Sequence, residues 1–102
     1  MIKTKGSIKM LFKYKTLDDN TEITHTELLE NEEVKIYIET QTPTGYNSLV
    51  MTVPNLHISA SQGYTEGEIQ SFISIIVEEQ AEIIRAATQI SKAEDVVHPK
   101  GV

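Results

Sequence analysis

The chain has 102 residues, of which 39% are apolar and 24% are charged, and its formal net charge is −6. This length suits one domain with one core (residues 1–102), and the composition is that of a folded globular protein rather than of a disordered chain. Because the sequence contains no cysteine, a disulfide framework, a thiolate nucleophile and a cysteine-based zinc or iron–sulfur site are excluded.

Charge is distributed unevenly along the chain. Five lysines give the first sixteen residues a charge of +5, and the remaining four basic and fifteen acidic residues give −11. One interpretation is that the first strand carries its lysines on a solvated face beside acidic neighbours. The other is that an acidic surface faces a basic protein partner, as in nucleic-acid mimics. Binding to duplex nucleic acid is not expected, because one lysine-rich segment would work against a strongly negative remainder.

The N-terminal segment has neither a targeting nor a membrane-spanning pattern. Its apolar runs are interrupted by Lys9 and Lys13. It therefore lacks the continuous apolar core of a signal peptide and the roughly 20 apolar residues of a membrane span. We expect a cytoplasmic protein that does not contact the membrane.

Alternation of apolar and polar residues predicts an antiparallel sheet of four or five strands, a meander over residues of about 7–58. Asp, Asn, Pro and Gly residues at 18–20 and 43–45 supply the turns. The polar stretch 55–63 is predicted to be a loop with a short fifth strand around Leu56–Ile58. The four main strands are predicted at Ile8–Leu17, Thr21–Leu28, Val34–Glu39 and Tyr46–Val53.

Residues from Thr65 to about Ile90 are predicted to form one long amphipathic helix. Thr65 and Glu68 match a capping box, in which each side chain satisfies a backbone donor that the helix start leaves unpaired. The helix is expected to pack against the sheet, which makes the fold α+β. Its apolar residues recur at spacings of three and four: Ile69, Phe72, Ile73, Ile76, Ile83, Ile84, Ala87 and Ile90.

The predicted helix is longer than the sheet that it covers. About 25 residues would span about 37 Å, whereas a strand of about eight residues spans about 26 Å. The apolar arc is also broad, because Ile75, Val77 and Ala86 lie beside the main stripe. Either the helix bends near Ala86–Thr88 and folds back, or a second copy of the chain shares it. We favour the second interpretation, a homo-oligomer formed through the helix.

Residues 92–102 are predicted to form a frayed tail after the helix. The alternative is that Val96 and Val97 dock onto a neighbouring subunit and order this segment.

No motif in the sequence specifies catalysis or metal binding. His25, His57 and His98 lie in different predicted elements, and their spacing matches no metal site. The sequence has no nucleophile elbow, no phosphate-binding loop and no dinucleotide fingerprint. We therefore expect a protein that uses no metal or cofactor and is not an enzyme. An enzyme with an unrecognised carboxylate or histidine site stays open as an alternative.

Arg85 is the only arginine of the chain and the first candidate ligand-binding residue. One interpretation is that it pairs with the glutamates three and seven residues before it. The other is that its planar guanidinium recognises the phosphate or carboxylate of a small anionic ligand at a subunit interface, where each protomer supplies one arginine. Tyr64, Phe72 and Tyr46 are the candidate stacking faces for a base.

The order of a meander ending at Val53-Pro54, a linker, and a helix opened by Gly63-Tyr64-Thr65-x-x-Glu68-Ile69 resembles small proteins of Firmicutes and their phages. Among these, the phage anti-Thoeris sponges sequester cyclic ADP-ribose-type signals at a dimer interface. The resemblance implies a phage-encoded, non-enzymatic protein that sequesters a small nucleotide-like signal or a host factor. The order of strands and helix is also compatible with a HicB-like antitoxin domain. From the charge pattern, an acidic inhibitor directed at a protein is the alternative function.

Overall fold

The computed structural model describes residues 10–18 and 20–100, and for 92–100 it describes the backbone alone. In this part of the chain five strands are followed by one helix: β1 Phe12–Leu17, β2 Thr21–His25, β3 Val34–Thr42, β4 Gly45–Val53, β5 His57–Gln62 and α1 Glu66–Lys100. The strands form one antiparallel sheet in the order β1-β2-β3-β4-β5, and the backbone of α1 approaches β3 and β4. The predicted α+β fold, a meander packed against one long helix, is confirmed.

The core lies between the central strands and α1. Alternate residues of β3 and β4 are fully buried, and the register sets Ile36 beside Met51 and Ile38 beside Leu49. Burying side chains of this size contributes about 1.5–3 kcal/mol each. The helix covers these strands with three fully buried residues, which are spaced seven and four positions apart. The fully buried apolar residues are Ile23, Val34, Ile36, Ile38, Leu49, Met51, Val53, Ile76, Ile83 and Ala87.

The helix begins at its predicted capping box. The Thr65 N–H donates to Glu68 Oε1 at 2.8 Å, and the Glu68 N–H donates to Thr65 Oγ1 at 3.1 Å. Two backbone donors at the helix start are thereby satisfied, and Glu66 and Glu68 place negative charge at the positive end of the helix dipole.

The helix ends later than predicted. It continues without a break past Ile90 to Lys100, so the alternative in which the helix breaks near Ala86–Thr88 and folds back is wrong, and residues 92–100 are helical where a tail was expected. The physical reason is that the sequence has no Gly or Pro between Gly67 and Pro99, so no residue that weakens the helical backbone or lacks its N–H donor interrupts the helix over that range. The side chains of Val96 and Val97 lie outside the described residues, so their docking stays a prediction.

β2 and β5 differ from their predicted bounds. β2 ends at His25 rather than Leu28, because Thr26 Oγ1 donates to the Glu27 carbonyl at 2.7 Å and accepts from the Lys35 N–H at 3.1 Å. β5 runs over His57–Gln62, where mostly a loop was expected. Its small polar residues leave no alternating apolar pattern to detect. The predicted first strand began at Ile8, and residues 1–9 lie outside the described part of the chain.

A β-bulge in β1 turns one lysine toward the helix. The register between β1 and β2 shifts between Lys13 and Lys15. Simple alternation puts both lysines on one solvated face, but the bulge places Lys15 opposite the buried Ile23 on the helix side. Lys13 stays on the outer face, 3.4 Å from Glu22 in an exposed ion pair. The interpretation in which lysines lie beside acidic neighbours on a solvated face therefore holds for Lys13. Lys15 also has an acidic neighbour, Glu79, but it lies on the helix side of the sheet.

Candidate functional site

Arg85 lies on the outer face of α1. It follows the fully buried Ile83 by two residues, which is a rotation of about 200° around the helix. The residue is exposed. Among the side chains that the structure describes, none forms an ion pair or a hydrogen bond with its guanidinium, and Glu78 and Glu82 do not pair with it. The donors of Arg85 are therefore available to a ligand or to another chain.

Tyr64 and Phe72 form an aromatic pair at the start of α1. Their ring centroids are 4.9 Å apart, with an angle of 65° between the planes. The Tyr64 hydroxyl is 2.7 Å from Thr40 Oγ1, which is in turn 2.7 Å from Thr21 Oγ1. Partial burial raises the pKa of Tyr64, although its hydrogen bond with Thr40 acts in the opposite direction. The pair fixes the helix start to β3 and β2, and it is packed against the core.

Tyr46 lies on the other face of the sheet. In β4, Leu49 and every second residue after it point toward α1. Tyr46 precedes Leu49 by three residues, an odd number, so its side chain points away from the helix. It is 50% exposed.

The four predicted ligand-binding residues do not form one site within a single chain. Tyr64 and Phe72 are together, and Tyr46 is on the opposite face of the sheet. Thirteen residues separate Phe72 from Arg85 along α1, which corresponds to about 20 Å. A ligand that meets both the arginine and an aromatic ring must therefore involve a second copy or another surface.

The structure also brings together a polar cluster that the sequence analysis did not predict. The Tyr14 hydroxyl donates to Glu79 Oε1 at 2.6 Å and lies 3.4 Å from Glu82 Oε1. Lys15 Nζ donates to both carboxylate oxygens of Glu79, at 3.1 and 2.9 Å. These contacts join the outer strand β1 to the middle of α1. One signal was available: Glu79 lies three residues after Ile76, within the sheet-facing stripe, where a carboxylate needs a partner.

The pKa shifts of Tyr14 and Glu79 preserve the hydrogen bonds of this cluster, which favours a structural role over a catalytic one. The pKa of Tyr14 is raised, first by burial and then by its bond to Glu79. The pKa of Glu79 is lowered because Tyr14 and Lys15 donate to its charged form. Tyr14 thus stays protonated and Glu79 stays ionised over the neutral range. A tyrosine that acts as a base needs the opposite shift.

The two histidine side chains that the structure describes, His25 and His57, lie on different strands. His25 is 2% exposed, lies beside the rings of Phe12 and Tyr14, and has its Nδ1 atom 2.7 Å from the Thr26 carbonyl. His57 is exposed on β5, and the His98 side chain lies outside the described residues. Within the described residues, no group of three or more His, Cys, Asp or Glu side chains is placed to hold a metal ion.

Comparison of the chain with protein-family models, with curated proteins and with solved structures finds no match. In the described part of the chain, no helix is both long and apolar enough to cross a membrane. The resemblance to phage anti-Thoeris sponges stays a hypothesis that rests on the residues quoted for it.

Proposed function

We propose that this chain is a non-enzymatic binding protein that sequesters a small anionic, nucleotide-like ligand at an interface between copies, with Arg85 as the anchor. The observation that supports the proposal is the exposed guanidinium, which pairs with neither nearby glutamate in the described structure. A planar guanidinium on a regular helix can bind phosphate or carboxylate through two parallel hydrogen bonds. A phage-encoded sponge is the form of this proposal that the resemblance favours.

More than one copy of the chain is needed for useful affinity. An exposed ion pair contributes only about 0.2–1 kcal/mol, whereas micromolar binding requires about 8 kcal/mol. The additional contacts must come from further groups around the arginine. Two or more protomers that share one site would supply a second arginine and an enclosed surface, so the expected homo-oligomer is part of the proposal.

Calorimetry tests the ligand directly. The titrants are cyclic nucleotides, ADP-ribose, cyclic ADP-ribose-type compounds and pyrophosphate. We expect at least one to bind, and Arg85→Gln to weaken that binding tenfold or more. Gln89→Ala, on the same exposed face of α1, is the matched control and should leave the affinity unchanged. The absence of heat with every compound would reject the ligand.

An acidic, protein-directed inhibitor is the second candidate function. Four basic side chains are described, and two of them, Lys13 and Lys15, are already in ion pairs with glutamates. The loop between β2 and β3 adds three exposed residues in a row, Glu30, Asn31 and Glu32. The excess of negative charge on the described surface would attract a basic partner and steer it toward the protein.

Affinity capture at two salt concentrations tests this second candidate. Immobilised protein should retain a basic partner at low salt and release it as salt rises, because screening weakens exposed charge pairs. The variant that combines Glu30→Gln with Glu32→Gln should capture less. If nothing is retained at low salt, where the attraction is strongest, the inhibitor hypothesis is wrong.

A further inference from the structure

The outer edge of β5 is open. β5 pairs with β4 on one side, and it stands at the end of the strand order. Within the described part of the chain no other strand pairs with it. Its outward N–H and C=O groups are therefore free to pair with an added strand.

The two edges of the sheet differ in composition. Proteins commonly protect an edge with lysine, proline or a bulge, because a bare edge pairs with other chains. β1 carries Lys13, Lys15 and a bulge between them. β5 has the sequence HISASQ, with no lysine, no proline and no acidic residue. Its bulge lies near Ser59, and most of its residues are exposed.

A partly apolar surface lies above β5, on one flank of α1. Glu79 contacts β1, and a step of about 100° per residue places Val77 roughly 160° around the helix from Glu79, on the β5 side. Val77 is 44% exposed, and Ile73 and Ile84, on the same flank, are half-buried. Ser61 pairs with the buried Leu49, so it is on the helix side of the sheet, yet it is exposed. The helix therefore leaves the helix-side face of the sheet uncovered at β5.

We propose that β5 pairs antiparallel with β5 of a second copy of this chain, which joins two sheets into one of ten strands. The occupant follows from the composition of β5. A strand with no Lys, Arg, Asp or Glu fits a partner strand that also has none, and β5 of a second copy is such a strand. Pairing along β5 also brings none of the charged residues of these two strands together, although each copy carries a net charge of −6. An antiparallel pair of identical strands is also self-complementary about a two-fold axis.

This dimer forms a groove between two helices. Each α1 approaches β3 and β4, so the two helix axes are about four strand spacings, or about 19 Å, apart. At their nearest point, helices of about 10–12 Å diameter leave a gap of about 8 Å, and the gap widens on either side because the twist of the joined sheet rotates one helix relative to the other. Ile58 and Ser61 lie on its floor and Val77 on its walls. Arg85 is about 80° around the helix from Val77, at the rim.

The use of this groove for a ligand rests on the proposed function. The groove would supply the second arginine and the enclosure that one chain lacks. The pairing of β5 does not depend on any ligand. A dimer that binds none of the titrants would reject the ligand proposal alone. An oligomer that binds through Arg85 and keeps its mass in the folded Ala60→Lys variant would reject the β5 pairing alone.

Cysteine scanning tests the pairing, since the chain has no cysteine of its own. The variants are Ala60→Cys, Ser61→Cys and Gln62→Cys, each oxidised mildly and separated without reductant. At least one should form a disulfide-linked dimer, because facing residues of an antiparallel pair have Cα atoms within disulfide range. Thr16→Cys on β1 and Ser74→Cys on the outer face of α1, both exposed, should stay monomeric. If only a control variant cross-links, or if none does, the proposal is wrong.

Light scattering on the unmodified chain gives the second readout. The mass should be that of two chains. Ala60→Lys should reduce it to one chain, whereas Thr16→Lys should leave it unchanged, with circular dichroism confirming that both variants are folded. A wild-type mass of one chain, or a folded Ala60→Lys variant that keeps the mass of two, would overturn the β5 pairing.

Discussion

At the scale of single residues, Glu79 holds the outer strand to the helix. Its carboxylate accepts hydrogen bonds from Tyr14 and Lys15 and is three-quarters buried, with 24% of the side chain exposed. We expect Glu79→Gln to lower the free energy of unfolding by about 1 kcal/mol, because hydrogen bonds to a charged group are lost. Glu78→Gln removes the same charge from the preceding, exposed position and should change the free energy of unfolding little. Urea unfolding measures both.

The same pair of variants has a defined pH dependence. The pKa of Glu79 is lower in the folded chain than its ordinary value. Its contribution is therefore fully present above about pH 4.3, the ordinary glutamate value, and is lost as pH falls through the lower folded-state value. The stability difference between wild type and Glu79→Gln should shrink in acid. A difference that stays constant down to about pH 3 would contradict the role given to the charge.

Two glycines close together in the sequence should respond to alanine in opposite directions. Gly63 has a φ of +90°, and a Cβ there would overlap the side chain of Asn47. We expect Gly63→Ala to cost about 1–2 kcal/mol from backbone strain alone, and more from the overlap. Gly67 is in the first turn of α1, and the nearest atom to a Cβ there would be Thr65 Oγ1 at 4.0 Å, an ordinary van der Waals contact. Gly67→Ala should stabilise the fold by about 0.5 kcal/mol. Thermal unfolding of the two variants measures both signs.

How much of the candidate site is predictable depends on the residue. The exposed position of Arg85 follows from helical periodicity, because Ile83 belongs to the buried stripe. The face of the sheet that carries Tyr46 could also be predicted, since an odd spacing from Leu49 places Tyr46 on the face away from α1. The Lys15–Glu79 ion pair could not be predicted, because the position of Lys15 depends on a bulge that no local pattern indicates.

At the scale of the elements, the capping box sets where α1 begins. Thr65→Ala removes the acceptor for the Glu68 N–H, and we expect it to lower stability by about 1 kcal/mol. Thr65→Ser keeps a hydroxyl at the same position and is the matched control, with an effect close to zero. Free energies from denaturant unfolding test the pair. Equal losses in the two variants would show that the hydroxyl does not cap the helix.

Elements with one buried face were predicted well, and elements with none were not. β3 and β4 alternate between core and solvent, and α1 repeats its apolar residues every three or four positions. Burial imposes those periods. β5 has no such face, because α1 does not cover it, and its length was underestimated. The end of α1 was also missed, because the apolar stripe fades before the helix does, and backbone hydrogen bonding continues until a residue such as Pro99 opposes it.

At the scale of the whole molecule, length and charge act together. The molecule measures 50 × 28 × 24 Å, and the 35 residues of α1 account for about 52 Å of helix. The Leu28 N–H donates to Ser91 Oγ at 3.3 Å, which ties α1 to the loop after β2, and nine more helical residues follow. The helix thus extends beyond the sheet. The sequence already indicated this overhang, although the predicted helix was shorter than α1. The uncovered surfaces of the sheet lie beside β5 and on the face that carries Tyr46.

Three tyrosines couple the stability of the whole fold to alkaline pH. Tyr14 on β1, Tyr37 on β3 and Tyr64 before α1 all have a raised pKa, in each case chiefly because of burial. Above about pH 10, where an unfolded tyrosine loses its proton, the folded chain holds these protons more tightly than the unfolded chain does. Stability is therefore fully present below about pH 10 and falls as pH rises toward the folded-state values.

Urea unfolding at neutral pH and at about pH 11 measures this loss, and tyrosinate absorbance follows the ionisation itself. Tyr64→Phe separates two effects. It removes the hydrogen bond to Thr40, which should cost about 1 kcal/mol at neutral pH. It also removes one titrating group, so stability should fall less steeply with pH than in the wild type. A wild-type protein equally stable at both pH values would mean that the three hydroxyls are as free to ionise in the folded chain as in the unfolded one.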